Sequence, residues 1–264
     1  MLNLDNVSVT FNGGTPNEVK ALDRLSLSVQ AGEFITVIGA NGAGKSTLFN
    51  VVAGTVAVNN GMITLDQVDV TDLPEHKRSR DIGRVFQNPA LGTCPDLTIR
   101  ENLSLAAMRG KRPDLSSGVK SSNQDWFYDL VKSVNLGLET RLDTDVALLS
   151  GGQRQAITLI MATLLTPKIL LLDEHTAALD PNAAAQVIDL TVKLAQEHGL
   201  TIIMITHSMQ QAVSVGNRVV MMDRGRVLVD IAGDERKSLQ YRELIERFRS
   251  LHTGTELSDR TLLS

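Results

Sequence analysis

The sequence predicts an α/β fold: a mainly parallel sheet covered on both faces by helices, with antiparallel strands ahead of it and a helical segment inserted into it. Three observations carry that expectation. The nearly continuous apolar runs Phe34–Ile38, Ile169–Leu172 and Ile202–Ile205 have the character of strands buried on both faces. Helical patterns stand between them, and strands alternating with helices imply parallel pairing. Residues 1–30 instead alternate apolar and polar positions (Val7, Val9, Phe11, then Leu25, Leu27, Val29), the period-two mark of half-buried antiparallel strands.

In chain order, Gly39 to Gly44 reads as a loop, and Lys45–Ala53 as a helix with Leu48, Val51 and Val52 on one side. Met62 to Val70 alternates again. Residues 88–148 change in character. They hold Pro89, Pro95 and Pro113, the polar Ser116-Ser117-Gly118 stretch, and helical patterns around 99–108 and 125–135, which together predict a helical sub-domain. Val219–Met222 and Val227–Val229 flank Asp223-Arg224-Gly225, a hairpin signal. Residues 235–264 read as a helix followed by a polar tail. The expected division is 1–87 and 149–234 for the two halves of a core, 88–148 for the helical insertion and 235–264 for the C-terminal segment.

Composition narrows the function. The chain has 264 residues, enough for one large α/β domain or a domain with a sub-domain. A net charge of -4 gives no general attraction for phosphodiester backbones, so no nucleic-acid partner is expected. The basic stretch His76–Arg80 reads as a solvated face. Cys94 is the only cysteine, which excludes an intrachain disulfide and fits a reducing compartment. Met1–Asp5 lacks the basic-then-apolar pattern of a secretory signal. The best apolar stretch, residues 156–172, is interrupted by Thr163, Thr166, Pro167 and Lys168, short of the ~20 residues that cross a bilayer. Any membrane work is therefore expected to pass through a partner chain.

Gly39-Ala40-Asn41-Gly42-Ala43-Gly44-Lys45-Ser46 fits G-x-x-x-x-G-K-[ST] in full, between a strand and a helix, with Thr47 following. Glycines admit backbone angles closed to other residues, so successive N–H groups can face phosphate oxygens, and the helix start adds partial positive charge. Lys45 would reach the β- and γ-phosphates and the Ser46 hydroxyl would ligate Mg²⁺. The bland alternative, a glycine-rich turn with an incidental lysine, does not account for the flanking strand and helix.

Asp173-Glu174 follows the Ile169–Leu172 strand directly, and in open parallel sheets chemistry gathers beyond the carboxyl ends of strands. Asp173 would hold Mg²⁺ and Glu174 would orient, or take a proton from, an attacking water. Alone, the pair could equally be an acidic helix start. A second anion site is written in Leu149-Ser150-Gly151-Gly152-Gln153. Ser150 with Gln153 makes a capping box opening a helix over 153–165, and Gly151 and Gly152 leave the first-turn N–H groups uncovered. An ordinary N-cap explains the serine and the glutamine but not both glycines. The other reading is a γ-phosphate contact offered to a second subunit.

Essentially end to end, the chain resembles the nucleotide-binding subunits of ATP-binding cassette (ABC) transporters. Leu149–Gln153 matches that family's signature motif without substitution. Gln87 after Val85-Phe86, Ala178-Leu179-Asp180 and Thr206-His207-Ser208 follow in the family's order. The resemblance implies a P-loop NTPase (RecA-like) core with an antiparallel β sub-domain and an inserted α-helical sub-domain. It implies ATP and Mg²⁺ as cofactors, with Ser46, Gln87 and Asp173 toward the metal, and Glu174, His207 and Gln87 as catalytic or sensing groups. Phe11 stands where an aromatic residue stacks on adenine; tyrosine is common there, and phenylalanine lacks its hydroxyl. The implied assembly is a head-to-tail homodimer with Ser150, Gly151, Gly152 and Gln153 acting in trans and Asp180 in the loop that couples the copies. The implied partners are a separate transmembrane permease and an extracytoplasmic solute-binding protein, and the implied place is the cytoplasmic face of the membrane.

Where the family usually has proline after the glutamate, this chain has His175, which removes a rigid φ and adds a group that ordinarily titrates near neutrality. The string Asp173–Pro181 resembles bacterial importers of aromatic amino acids. Residues 142–148 do not resemble the exporter-type segment. A soluble ABC ATPase of a scaffold complex, as in iron–sulfur cluster assembly, is the alternative. His76, His175, His198 and His252 are expected to be surface or local polar residues, Met204, Met209, Met221 and Met222 core filling, and Cys94 a loop thiol.

Overall fold

The computed structural model describes residues 1–111, 118–119 and 123–251. Pro113, Ser116, Ser117, His252 and the expected polar tail lie outside the described residues. In chain order the elements are β1 (Leu2–Phe11), β2 (Val19–Val29), β3 (Phe34–Gly39), α1 (Lys45–Ala53), β4 (Asn60–Leu65), β5 (Val68–Asp69), α2 (Glu75–Arg78) and β6 (Ile82–Val85). Then come α3 (Ile99–Ala107), α4 (Gln124–Lys132), α5 (Gly151–Thr163), β7 (Ile169–Asp173), α6 (Pro181–His198) and β8 (Thr201–Ile205). The chain continues through α7 (Met209–Ser214), β9 (Arg218–Asp223), β10 (Arg226–Ala232), α8 (Gly233–Ser238) and α9 (Tyr241–Leu251).

These elements form two compact units, one of Met1–Arg78 with the described residues from Thr201 onward, the other of Ser79–Leu200. In the first unit the period-two segments pair antiparallel as expected, β1 with β2 and with β4. β3 pairs parallel with both β8 and β9, and β9 turns back into β10 through Arg224 and Gly225, both at positive φ. Two residues at positive φ make the turn that matches strand twist, the hairpin expected at Asp223-Arg224-Gly225. A cluster of Ile38, Met209, Met221, Ile231, Leu244 and Phe248 packs α7 and α9 on this sheet. Met204, Met209, Met221 and Met222 are all buried, as expected.

Three expectations change in this unit. The alternating segment Met62–Val70 is broken into a hairpin, because Asp66 and Gln67 adopt φ 50° and 65° and reverse the chain. The C-terminal segment is two helices, since Leu239 is extended (φ -61°, ψ 125°) and stops α8. Arg78 is not on a solvated face: it is 4% exposed and donates to the carbonyls of Val51, Val52, Leu73 and Thr71. Two of those carbonyls lie in the last turn of α1, where a cation complements the orphan acceptors.

In the second unit β6 pairs parallel with β7. Ile99, Leu103, Phe127, Val131, Val146, Ile157 and Ile160 make a core between α3, α4 and α5. Thr98 and Glu101 form a capping box at α3, and the buried Asn102 side chain ties Cys94, Leu97 and Thr98 through four hydrogen bonds. Cys94 itself is exposed, the loop thiol expected.

Candidate nucleotide site

In the first unit β3 runs out at Gly39 into the loop that starts α1. Gly44, the N-cap, has φ 99°, and a Cβ there would stand 2.5 Å from the Ala21 carbonyl oxygen, so only glycine fits. The cap supplies no side-chain hydrogen bond, and the first turn of α1 carries no acidic residue. The N-terminal N–H groups of α1 thus meet neither a capping oxygen nor a carboxylate from their own segment. Lys45 is 6% exposed, and its Nζ donates to the carbonyls of Gly39 (2.8 Å) and Ala40 (3.0 Å), which folds the ammonium back over the start of the loop. Asn41, Gly42 and Ser46 are exposed, Thr47 is half-buried and Ala43 is buried.

His207 lies at the same sheet edge. Ile205 pairs with Val37, and the Thr206 N–H donates to the Val37 carbonyl, so the residue after Thr206 emerges beside the end of β3. Thr206 bonds Gln211, and Ser208 caps α7 by accepting from the Gln211 N–H, which fixes the segment on both sides of the imidazole. Phe11 ends β1 opposite Val19 and is 40% exposed.

In the second unit register does the same work. Val85 pairs with Leu172, so Gln87 and Glu174, each two residues further, leave the carboxyl ends of neighbouring strands together. Arg84 sits 3.4 Å from Asp173 and over the Phe86 ring, and the buried Gln155 donates to the Phe86 carbonyl just before Gln87. Glu174 has φ 46°, a left-handed conformation uncommon for a side chain of its size, and its carbonyl accepts from the Ala177 N–H in a tight turn.

His175 departs from expectation. It is 2% exposed, its Nε2 lies 3.1 Å from Thr191 Oγ1, and burial pushes its imidazole down to about 4. It is neither a surface group nor one that titrates near neutrality.

At α5 the capping box expected from Ser150 and Gln153 is present in both directions, each bond 3.2 Å, and no acidic residue occupies the first turn. The helix begins at Gly151 rather than 153. The glycines also have a packing role: a Cβ on Gly152 would stand 2.8 Å from Ala183 Cβ, and one on Gly151 3.3 Å from Leu179 Cδ2. Asp180 caps α6, accepting from the N–H groups of Asn182 and Ala183.

The expected residues therefore divide. Phe11, the loop from Gly39 to Thr47 and His207 belong to the first unit; Gln87, Ser150–Gln153, Asp173, Glu174 and Asp180 belong to the second. Sequence reasoning missed Arg84, Gln155 and the His175–Thr191 pair. None has a local signal, because each acts through a partner set by strand pairing or helix packing. Among the described residues no group of three or more His, Cys, Asp or Glu side chains could hold a metal ion, and no helix is long and apolar enough to cross a membrane.

A protein-family model described as ABC transporter matches residues 22–177, more than half of the chain. The chain belongs to the ABC transporter family. As an ABC subunit it binds and hydrolyses ATP. It is 43% identical over 250 residues to a tyrosine transport ATP-binding protein of Clostridioides difficile (strain R20291), covering 94% of this chain and 98% of that one. It is 34% identical to a glutamine transport ATP-binding protein of Geobacillus stearothermophilus, over 81% of this chain and 85% of that one. Among solved structures, a dimeric ATP-binding cassette in a post-hydrolysis state bound to ADP and Pi superposes with a TM-score of 0.75 at 29% identity, over 88% of this chain and 98% of that one. The superposed cassette is a dimer.

Proposed function

We propose that this ABC ATPase drives import of an amino acid, of the aromatic class, as a homodimer bound to a separate permease at the cytoplasmic face of the cell membrane and fed by an extracytoplasmic solute-binding protein. The end-to-end 43% identity to a tyrosine transport subunit carries this reading. Each relative named above is a transport protein, which disfavours a soluble scaffold role.

In this reading the N–H groups of Gly42 to Thr47 cradle the phosphates, because α1 starts with neither a capping side chain nor an acid. Lys45 exchanges its carbonyl partners for the β- and γ-phosphate oxygens. Phe11 stacks on the adenine. Ser46, Gln87 and Asp173 offer hydroxyl, amide and carboxylate oxygens, the hard donors that suit Mg²⁺, which when bound neutralises phosphate charge. Glu174 takes a proton from the water whose oxygen bonds the γ-phosphorus, while the bond to the β–γ bridging oxygen breaks and ADP leaves with the electron pair. His207 contacts the γ-phosphate. Ser150, Gly151, Gly152 and Gln153 of a second copy close the other side, and Asp180 couples the copies.

The test is reconstitution in vesicles with the permease that co-purifies with the full chain. Tyrosine or tryptophan, delivered by the binding protein, is expected to stimulate ATP hydrolysis, and a sugar is not. Assembly with soluble partners alone, or stimulation by a sugar, would contradict the proposal.

A further inference from the structure

Glu174 is held at φ 46°, a backbone conformation unfavourable for a residue other than glycine, so its surroundings must impose it. The turn that carries it is short. On one side stands Asp173, the last residue of β7, and on the other the buried pair His175 (2% exposed) and Thr176 (8%). His175 makes one hydrogen bond across to α6, to Thr191, which is itself 1% exposed.

The direction of that bond follows from the hydroxyl. Thr191 Oγ1 lies 2.7 Å from the Val187 carbonyl of its own helix and donates its single proton there. A carbonyl cannot return a proton, so toward His175 the Thr191 oxygen can only accept. The imidazole must therefore carry its proton on Nε2 and be a donor. The chain Nε2–H to Thr191 to Val187 runs one way, from the turn after Glu174 into the middle of an 18-residue helix.

We propose that His175 is a positioning residue for the hydrolytic step: through its Nε2–H bond to Thr191 it anchors the turn that holds Glu174 at positive φ, and so aims the Glu174 carboxylate. His175 touches neither nucleotide nor water and acts only through Glu174. The inference rests on the reading of Glu174 as the group that activates water. Loss of the anchor lets the turn relax toward ordinary backbone angles, moving the carboxylate while leaving the phosphate loop untouched. A misplacement of about 1 Å can lower turnover by about a hundredfold; one lost anchor in a turn still closed by the Glu174–Ala177 bond should lie below that, near tenfold.

The experiment compares full-length Thr191→Val, which keeps the shape and removes the acceptor, with Thr191→Ser, which keeps the acceptor. The readouts are kcat, KM for ATP and equilibrium ATP affinity. Thr191→Val is expected to lose about tenfold in kcat with ATP affinity within twofold of wild type, and Thr191→Ser to stay within twofold on all three. Thr191→Val turning over at the wild-type rate, or the two variants falling together, would overturn the proposal. Should Thr191→Val fail to fold, His175→Gln, which keeps an N–H donor, against His175→Leu gives the same comparison: glutamine is expected to retain turnover that leucine loses, and equal losses refute it. Glu174→Gln measured alongside separates the two claims. If that variant hydrolyses ATP at the wild-type rate, the reading of Glu174 fails, whatever the threonine variants do.

Discussion

The two helix starts that the sequence singled out as anion sites are built on opposite plans. α1 begins at a left-handed glycine, with no side chain capping it and no acid in its first turn. α5 begins with a complete capping box, Ser150 to Gln153 in both directions, and its glycines sit against Leu179 and Ala183. One end is left open by backbone geometry, while the other is closed upon itself and packed. The difference teaches that, in the proposed site, the phosphate loop leaves its helix start to be capped by nucleotide, whereas the signature helix is capped by its own side chains and can be presented to something else. A ligand that completes α1 should stabilise the chain; α5 should stand without one.

Removing the cation at the open end should have the largest effect. Lys45→Ala is expected to weaken ATP binding about a hundredfold, as loss of charge-assisted bonds worth about 3 kcal/mol would do. Equilibrium titration checks this, and unchanged affinity would remove Lys45 from the site.

Next comes the self-contained character of the second unit, which the buried His175 makes dependent on pH. Its imidazole falls from 6.5 to about 4 on folding, because burial penalises the charged form. Above 6.5 both states are neutral at this group and its contribution to stability is complete. As the pH drops toward 4, the unfolded chain takes up a proton that the folded chain refuses, and up to about 3 kcal/mol is lost. Asp23, held down to about 2 by hydrogen bonds from Lys20 and then Arg226, titrates below that window. Urea unfolding of the nucleotide-free chain at pH 7.5 and 5 should show a steeper loss for wild type than for His175→Gln. Equal losses would mean that the imidazole is open to water.

The smallest effect belongs to the closed end. Ser150→Ala should cost about 1 kcal/mol of stability, the worth of an N-cap, with the ATP affinity of a single chain unchanged. Calorimetric melting together with nucleotide titration reads both, and weakened binding in the monomer would erase the contrast between the two helix starts.

Much of this was legible in the sequence for physical reasons. Apolar runs revealed β3, β7 and β8 because strands buried on both faces leave no polar position, and the S-x-x-Q spacing revealed the cap of α5. The phosphate loop was legible because its glycine positions are set by backbone angle. What escaped depends on distant partners. Arg78 is buried because four carbonyls converge on it, and no local pattern announces that. His175 read as a surface or local polar residue because its partner, Thr191, is brought to it by the packing of α6. The turn at Asp66-Gln67 lacks the usual glycine, so the alternation over Met62–Val70 gave no sign of it.

In the proposed dimer, ATP on the open helix start of one copy is closed over by the finished helix start of another. Light scattering of the Glu174→Gln chain with ATP, alone and combined with Ser150→Arg, reads this closure. The single variant is expected to run at twice the monomer mass, and the double variant at the monomer mass with nucleotide still bound. A double variant that remains dimeric with ATP would contradict the account.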